Sequence, residues 1–391
     1  MLSSGSPRLG TAAVLFASFF AAQAAMMTLS PILPDVARDL GVSLSVAGQL
    51  QTLAGMAGAA VAIAVTLAGA RFSPRRLLRL GLTAIAAGSA VNAVAPSFAV
   101  LLGAEAMLGC GMAAVLAGGV AAVPAWTTSE ERSSVLAWAL LGQPGAWVIG
   151  MPLIGLVAPV SWRLGWIAVP LAASVAALTM LARHRAPEHA AGTPAAAGPG
   201  RAWQRPEVRS WALAELLAQA AWAGTLVYAG SLLHDRHHLG LGTVGVLLGI
   251  AAAAYFPGSL LAKRHVGEHA RPLAVGLGLA AAAGMLVLGL GRPGPAVTVG
   301  LIALLMAVVG ARGLAGSALG LQTAPDRSVE ISGIRAAGVQ LGALLGAAVG
   351  GLAIHSGGWE AWGATLGTLF VAGVLPYVAG QRLVRPAPAA A

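Results

Sequence analysis

The sequence predicts an all-α polytopic membrane protein, with twelve transmembrane helices in two pseudo-symmetric six-helix bundles. Three observations point there. Of the 391 residues, 58% are hydrophobic and only 9% charged, against roughly 25% charged in an ordinary soluble domain. The uncharged stretches fall into twelve runs of spanning length. The second half of the chain also echoes the first. Together these exclude a soluble enzyme, a disordered chain and a fibrous protein. The lone cysteine, Cys110, leaves no intrachain disulfide and no multi-cysteine metal site.

A spanning helix needs roughly 20 apolar residues. The runs lie near 11–33, 44–69, 77–95, 98–122, 133–158, 162–182, 208–232, 240–262, 272–291, 295–322, 330–354 and 360–380. The first is too long for a signal peptide, apolar from Leu9 to Met27 and followed by further spans. Orientation follows from the basic residues. With the N-terminus in the cytoplasm, 17 of the 23 Arg and Lys fall on the cytoplasmic side and four outside, Arg38, Arg163, Arg236 and Arg292. That asymmetry predicts both termini in the cytoplasm of a bacterial inner membrane. It also accounts for the net charge of +10 without a nucleic-acid partner, since basic loops face the anionic leaflet.

The longest polar connection runs through the flexible Gly/Pro/Ala segment 191–200. It divides the chain into an N-terminal bundle (1–184), a cytoplasmic linker (185–207) and a C-terminal bundle (208–391). Glu131 and Arg132 before span 5 match Asp326 and Arg327 before span 11. Gly142, Gly150 and Gly155 match Gly338, Gly346 and Gly351 at an offset of 196. Trp162 matches Trp359. Duplicated halves are a hallmark of secondary transporters, which hold substrate between them near the midplane.

Charges inside a bilayer are costly and mark function by default. Four qualify: Glu105 in span 4, Glu215 in span 7, Arg312 in span 10 and Arg335 in span 11. Glu105 lies among Leu101, Leu102, Gly109 and Met112, where burial disfavours the anion and suits proton exchange. Alternatively it is a structural acid facing a neighbouring helix. Glu215 shares a face with Gln219 and Trp222, which offers an acid, an amide and an aromatic wall to one ligand. The bland alternative is a shallow acid that snorkels or pairs with an Arg. Arg312 and Arg335 either clamp an anionic substrate or pair with Glu215 to latch a closed state.

Among uncharged residues, Gln23 stands on a span 1 face with Phe16, Phe19, Phe20, Met26, Met27 and Ser30. A buried amide needs a partner. Gln143 precedes Pro144 between Gly142 and Gly145, which marks a kink with freed carbonyls. Gln340 is a weaker candidate of the same kind. Trp126, Trp162, Trp166, Trp203, Trp211, Trp359 and Trp362 map to span ends, as an interfacial belt does. His234, Asp235, His237 and His238 read as a solvated loop rather than a metal site. The Gly-rich runs lack a preceding strand and a Walker lysine, so no phosphate loop is expected. No cofactor, metal or catalytic set is read from the sequence.

At this point the sequence resembles the major facilitator superfamily, and within it the twelve-span drug:proton antiporter and sugar-efflux (arabinose-efflux-like) branch. The residues that carry this are Pro31, Ile32, Leu33, Pro34 and Asp35 leading to Asp39–Ser43. The loop Arg71–Arg76 after span 2, the Ser129–Arg132 turn, the Gly/Pro set Gly142, Gly145, Gly150, Pro152 and Gly155, and Ser161, Trp162 and Arg163 add to it. Two departures stand out. Ala70 replaces the acid of the loop 2–3 motif, whose leading Gly is Thr66, and Glu105 occupies the place of the span 4 motif Arg. The resemblance implies a monomer, with spans 1, 4, 7 and 10 lining a central cavity.

The expectation is a secondary active transporter working by alternating access, with proton-coupled efflux of a small amphipathic or cationic molecule. Protonation of Glu105 or Glu215 would neutralise the site and release cargo. Gln23, Glu105, Gln143, Glu215, Gln219, Trp222, Arg312 and Arg335 are the candidate substrate ligands. One alternative is uniport or symport of a small organic anion on Arg312 and Arg335. Another is a non-transporting membrane sensor or scaffold.

Overall fold

The computed structural model describes residues 6–68, 72–128, 130–184, 202–324 and 327–379. The expectations placed on Ala70, Arg71, Ser129, the segment 185–201 and Asp326 lie outside the described residues.

Among the described residues, eleven helices are long and apolar enough to cross a membrane. The last of them, Gly333–Ala379, is two spans in one continuous run, because it turns at Gly357 and Gly358. Gly358 has φ +63°, a left-handed conformation that favours glycine. The twelve spans are α1 (Leu9–Asp39), α2 (Leu44–Val65), α3 (Pro74–Val94), α4 (Phe98–Trp126), α5 (Ser134–Val157) and α6 (Trp162–Arg183). The second six are α7 (Pro206–His237), α8 (Leu241–Lys263), α9 (His269–Leu290), α10 (Pro295–Thr323), α11 (333–356) and α12 (359–379). The outward faces carry large apolar side chains in the open, such as Ile250, Leu260, Leu352 and Leu375, all more than 60% exposed. Lipid covers such a surface without penalty. The chain is a multi-pass membrane protein.

Proline positions explain where helices bend. α1 continues well past the expected end of span 1. It breaks at Thr28 and resumes as Leu29–Asp39. Pro31 sits in the first turn of that second segment, where its missing N–H costs little. Pro34 lies inside it and leaves the Ser30 carbonyl without its helical donor. Gly230 of α7 packs against that carbonyl. α5 carries the kink expected around Gln143. An α-helix to Leu140 turns at Leu141, and a wide π-turn follows over Ala146–Gly150. Pro144 and Pro152 each remove one ladder donor there. In α6, Pro170 lies inside a second π-turn, Ile167–Leu171.

α1 to α6 pack mainly with one another, and α7 to α12 do the same. The bundles meet through α1 with α7, α2 with α11, and α5 with α8. α1 ends and α2 begins on what is here termed the Asp39 face; α11 begins on the opposite, Glu330 face. On the Asp39 side Ser30 Oγ donates to the Leu226 carbonyl at 2.5 Å, across residues 196 apart. Gly155 meets Gly245, and at the same offset Gly351 approaches Gln49. The offset read from the sequence repeat therefore separates Ser30 from Leu226 and relates the other two contacts to each other, Gly155 to Gly351 and Gln49 to Gly245. A Cβ on Gly245 would lie 2.6 Å from Gly155 Cα, so these backbones touch only because both residues are glycine.

The tryptophan belt is only partly realised. Trp166, Trp211 and Trp362 are fully buried in the core with Tyr228, Phe19 and Phe370. The outward side of those helices is supplied by aliphatic residues instead. The His group is not a loop, since α7 runs on to His237. His234 contacts the Leu239 carbonyl and His237 contacts Thr298.

Candidate functional site

Glu215, Gln219, Arg312 and Arg335 come together in the C-terminal bundle. α7 enters from Arg205 with Pro206 in its first turn, and two turns later Glu215 faces α10. Trp211 anchors that approach by donating its indole N–H to the Gly316 carbonyl at 2.8 Å. A Cβ on Gly316 would fall 2.6 Å from Glu215 Cδ, so glycine there lets the carboxyl lie against α10. Glu215 Oε1 accepts from Arg312 Nη2 at 2.8 Å and from the Tyr377 hydroxyl at 2.7 Å. Both partners of the ion pair are nearly enclosed, with side-chain exposures of 7% and 11%.

Burying two charges is repaid only when geometry is good and further hydrogen bonds complete it. Tyr377 of α12 supplies one on the acid, and the Ala214 carbonyl, at 3.4 Å from Arg312 Nη2, a weaker one on the base. The sequence reading passed over Tyr377. Its signal was a phenol near the end of an apolar span, where a buried hydroxyl needs a partner.

Arg335 reaches from α11 to α10. It donates to Ser317 Oγ and to the Gly313 carbonyl at 3.2 Å, both neutral partners. Glu215, Gln219 and Arg335 line one opening between α7 and α11, with Trp211 at its edge. An acid, an amide and two guanidinium groups thus share a compact site on the Glu330 side of the bundle.

A second hollow lies between the bundles, where α1, α2 and α7 converge. Gln23, Met26, Ser30, Gln51 and Leu226 are among its lining residues. Among the described residues, Gln23 Nε2 reaches only the Met26 sulfur, at 3.7 Å. Gln51 is 1% exposed and its Nε2 has no hydrogen-bond partner among the described residues. Nearby, Trp222 of α7 meets Trp147 of α5 edge-on at 6.1 Å, and Trp147 meets Tyr255 of α8 at 5.1 Å. The sequence reading missed Gln51, Trp147 and Tyr255. Gln51 was legible by the same logic as Gln23, an amide in an apolar span.

Two candidates stand apart. Glu105 is 2% exposed at the α3–α4 interface inside the N-terminal bundle, where Asn92 Nδ2 donates to its Oε1 at 2.9 Å. The structure does not bring it to Glu215 or to either opening. The reason is rotational: Gly88 of α3 packs against the Ala104 carbonyl and Leu108, which turns that face of α4 inward on its own bundle. Gln143 sits half-buried at the start of the broken stretch of α5, beside the crossing of Gly142 with Phe16 and Phe20 of α1.

On the Glu330 face, the Ala202 N–H donates to Glu330 Oε2 at 2.9 Å and Arg327 Nη1 to Oε1 at 2.6 Å. Burial alone would push this carboxyl up. The Ala202 and Arg327 donors outweigh it and hold the group below the ordinary 4.5. On the same face, burial first and the Arg75 charge second hold His184 below the usual imidazole value. Its Nε2 lies 3.2 Å from Thr11 Oγ1.

Comparison with known proteins places this architecture. The family model for the Major Facilitator Superfamily matches residues 15–333. A chloramphenicol resistance protein of Streptomyces lividans is 31% identical over 241 residues. That match spans 60% of this chain and 61% of the relative's length. Among solved structures, a D-xylose-proton symporter aligns with TM-score 0.78 at 12% identity, over 95% of this chain and 97% of that one. A bacterial homologue of the human lysosomal transporter Spinster, inward-facing and unoccupied, aligns with TM-score 0.72 at 13% identity, over 99% and 100%. With its twelve helices, its paired bundles and a family match over most of its length, the chain belongs to the major facilitator superfamily of transporters.

Proposed function

We propose that this transporter exports a small amphipathic organic molecule in exchange for protons, and that Glu215 is the carboxyl that takes up and releases the proton. The observation that carries this is the enclosed Glu215–Arg312 pair, completed by Tyr377, beside an opening shared with Arg335. Protonating Glu215 cancels the ion pair and frees Arg312, so one proton changes how α7, α10 and α12 hold each other. Such a bistable contact is what alternating access needs. The drug-resistance name of the S. lividans relative favours export of a drug-like solute.

The orientation supports the same cycle. The basic loops put the Glu330 face in the cytoplasm. The close approaches between bundles, Gly155 with Gly245 and Ser30 with Gly230, lie toward the Asp39 face. This is then the inward-facing state of a monomer in the bacterial inner membrane. Glu105 supports no step in this cycle, since Asn92 and the α3–α4 interface enclose it. Gln219, Trp222 and Gln23 lie on the route between the acid and the hollow and are proposed to contact the cargo. Gln143 acts through the bend in α5.

The test is transport into inverted proteoliposomes energised by a pH gradient. Wild type should accumulate solute, and Glu215→Gln should retain solute–solute exchange while losing gradient-driven accumulation. Undiminished accumulation by that variant would remove Glu215 from coupling.

A second reading rests on Arg335, whose hydrogen-bond partners among the described residues, Ser317 and Gly313, are both neutral. That favours a small organic anion carried by uniport or symport. Solute binding that survives Arg335→Gln counts against it.

A further inference from the structure

We infer that the cargo is electrically neutral and presents a hydrogen-bond acceptor to Gln51 of α2. The inference rests on the transport reading above and narrows it to a substrate class. The hollow between α1, α2 and α7 is lined by apolar side chains, two amides and one hydroxyl, with no charged group among its lining residues. The nearest acid on α7, Glu215, precedes Ala223 by eight residues, roughly 12 Å along the helix. Moreover, Glu215 is already engaged by Arg312 and Tyr377. A charged solute in this hollow would lose its hydration and gain no counter-charge, a cost of many kcal/mol by general solvation arguments. A neutral one escapes that cost.

The polar groups then specify the rest. Ser30 spends its proton on the Leu226 carbonyl at 2.5 Å, so it offers a solute only lone pairs. Gln23 has a weak sulfur partner. Gln51, buried to 1% exposure, carries an NH₂ group with no partner among the described residues and borders the hollow. Buried donors left unpaired are rare and costly. An acceptor oxygen on the cargo, such as a carbonyl, nitro or hydroxyl group, would complete this one. Met26 and Leu226 supply adaptable apolar contact on either side. Glu215 stays outside the contact set, so the proton site and the cargo site are separate and communicate through α7.

The experiment uses the purified full-length protein and three aromatic probes of similar size: chloramphenicol (uncharged), ethidium (a cation) and salicylate (an anion). Binding is read by tryptophan fluorescence, and transport of the same probes is read in proteoliposomes. The inference predicts binding of chloramphenicol alone. Gln51→Leu should weaken it about tenfold, the loss of one well-placed hydrogen bond. Gln51→Glu should weaken chloramphenicol and create affinity for ethidium. Gln340→Leu removes another unpartnered amide, one that faces Gly58 instead of the hollow, and should leave binding unchanged. Binding of ethidium or salicylate by wild type, or chloramphenicol binding that ignores both Gln51 variants, overturns the inference while leaving transport standing. Failure to move any of the three probes in the same liposomes, despite binding, would instead count against the export reading itself.

Discussion

Replacing Glu215 by Gln and Arg312 by Gln, singly and together, tests whether the buried pair behaves as the structure requires. The single change at Glu215 keeps an oxygen for the Tyr377 hydroxyl but strands the Arg312 guanidinium, whose side chain is 7% exposed. Breaking a buried pair from one side costs about 3–5 kcal/mol, because the surviving charge is left without compensation. Gln still accepts a hydrogen bond, so the lower end, about 3 kcal/mol, is expected here. Arg312→Gln strands the carboxylate, which can recover by binding a proton, so about 2 kcal/mol is expected. The double variant removes both charges and should be less destabilised than either single one, within about 1 kcal/mol of wild type. The assay is equilibrium unfolding of the detergent-solubilised protein at one pH. Additive losses in the double variant would show that the two groups do not share one enclosed contact, and the coupling role proposed for Glu215 would lose its basis.

Three further outcomes follow from other parts of the molecule. Glu105→Gln keeps an oxygen for Asn92 and should change stability by less than about 1 kcal/mol, with gradient-driven accumulation unchanged in the liposome assay; lost accumulation would return Glu105 to the coupling path. Gly245→Val places a Cβ 2.6 Å from Gly155 Cα and from the Met151 carbonyl, so the Asp39 face cannot close and solute exchange should fall to background. The Glu330 carboxyl is held below 4.5 in the folded protein, against burial, by the Ala202 N–H and Arg327. Its stabilising contribution is therefore complete above 4.5 and fades as pH falls through the lower folded value. Thermal unfolding across that acid window should show a steeper loss for wild type than for Glu330→Gln, and parallel curves would contradict it.

The helices were legible because composition dictates them. Bilayer thickness fixes their length, and the break read between the runs 330–354 and 360–380 falls at the turn of Gly357 and Gly358. The offset of 196 was legible too, and it reappears in the Ser30–Leu226 bond and the paired Gly155–Gly245 and Gly351–Gln49 approaches. What sequence does not give is rotation about each helix axis. Glu105 and Glu215 look equivalent as lone acids in apolar runs, yet one turns into its own bundle against Asn92 and the other toward Arg312. Partner choice was likewise hidden, because Tyr377 lies 162 residues from Glu215. The tryptophans show the same limit, since a ring near a span end can face lipid or, as Trp211 does, bond across to Gly316.

The claim beneath all of this is that the bundles rock about the hollow, opening the Asp39 face as the Glu330 face closes. Spin labels at Val160, beyond α5, and Val297, at the start of α10, both sit exposed on the Asp39 face of opposite bundles, with Cys110→Ser as background. Double electron–electron resonance should give a short distance at neutral pH and a second, longer population that grows with acidification; in the Gly155→Leu background, where the glycine contact cannot form, the longer population should replace the short one. One distance, unchanged by pH in a protein that still exchanges solute, would contradict the account.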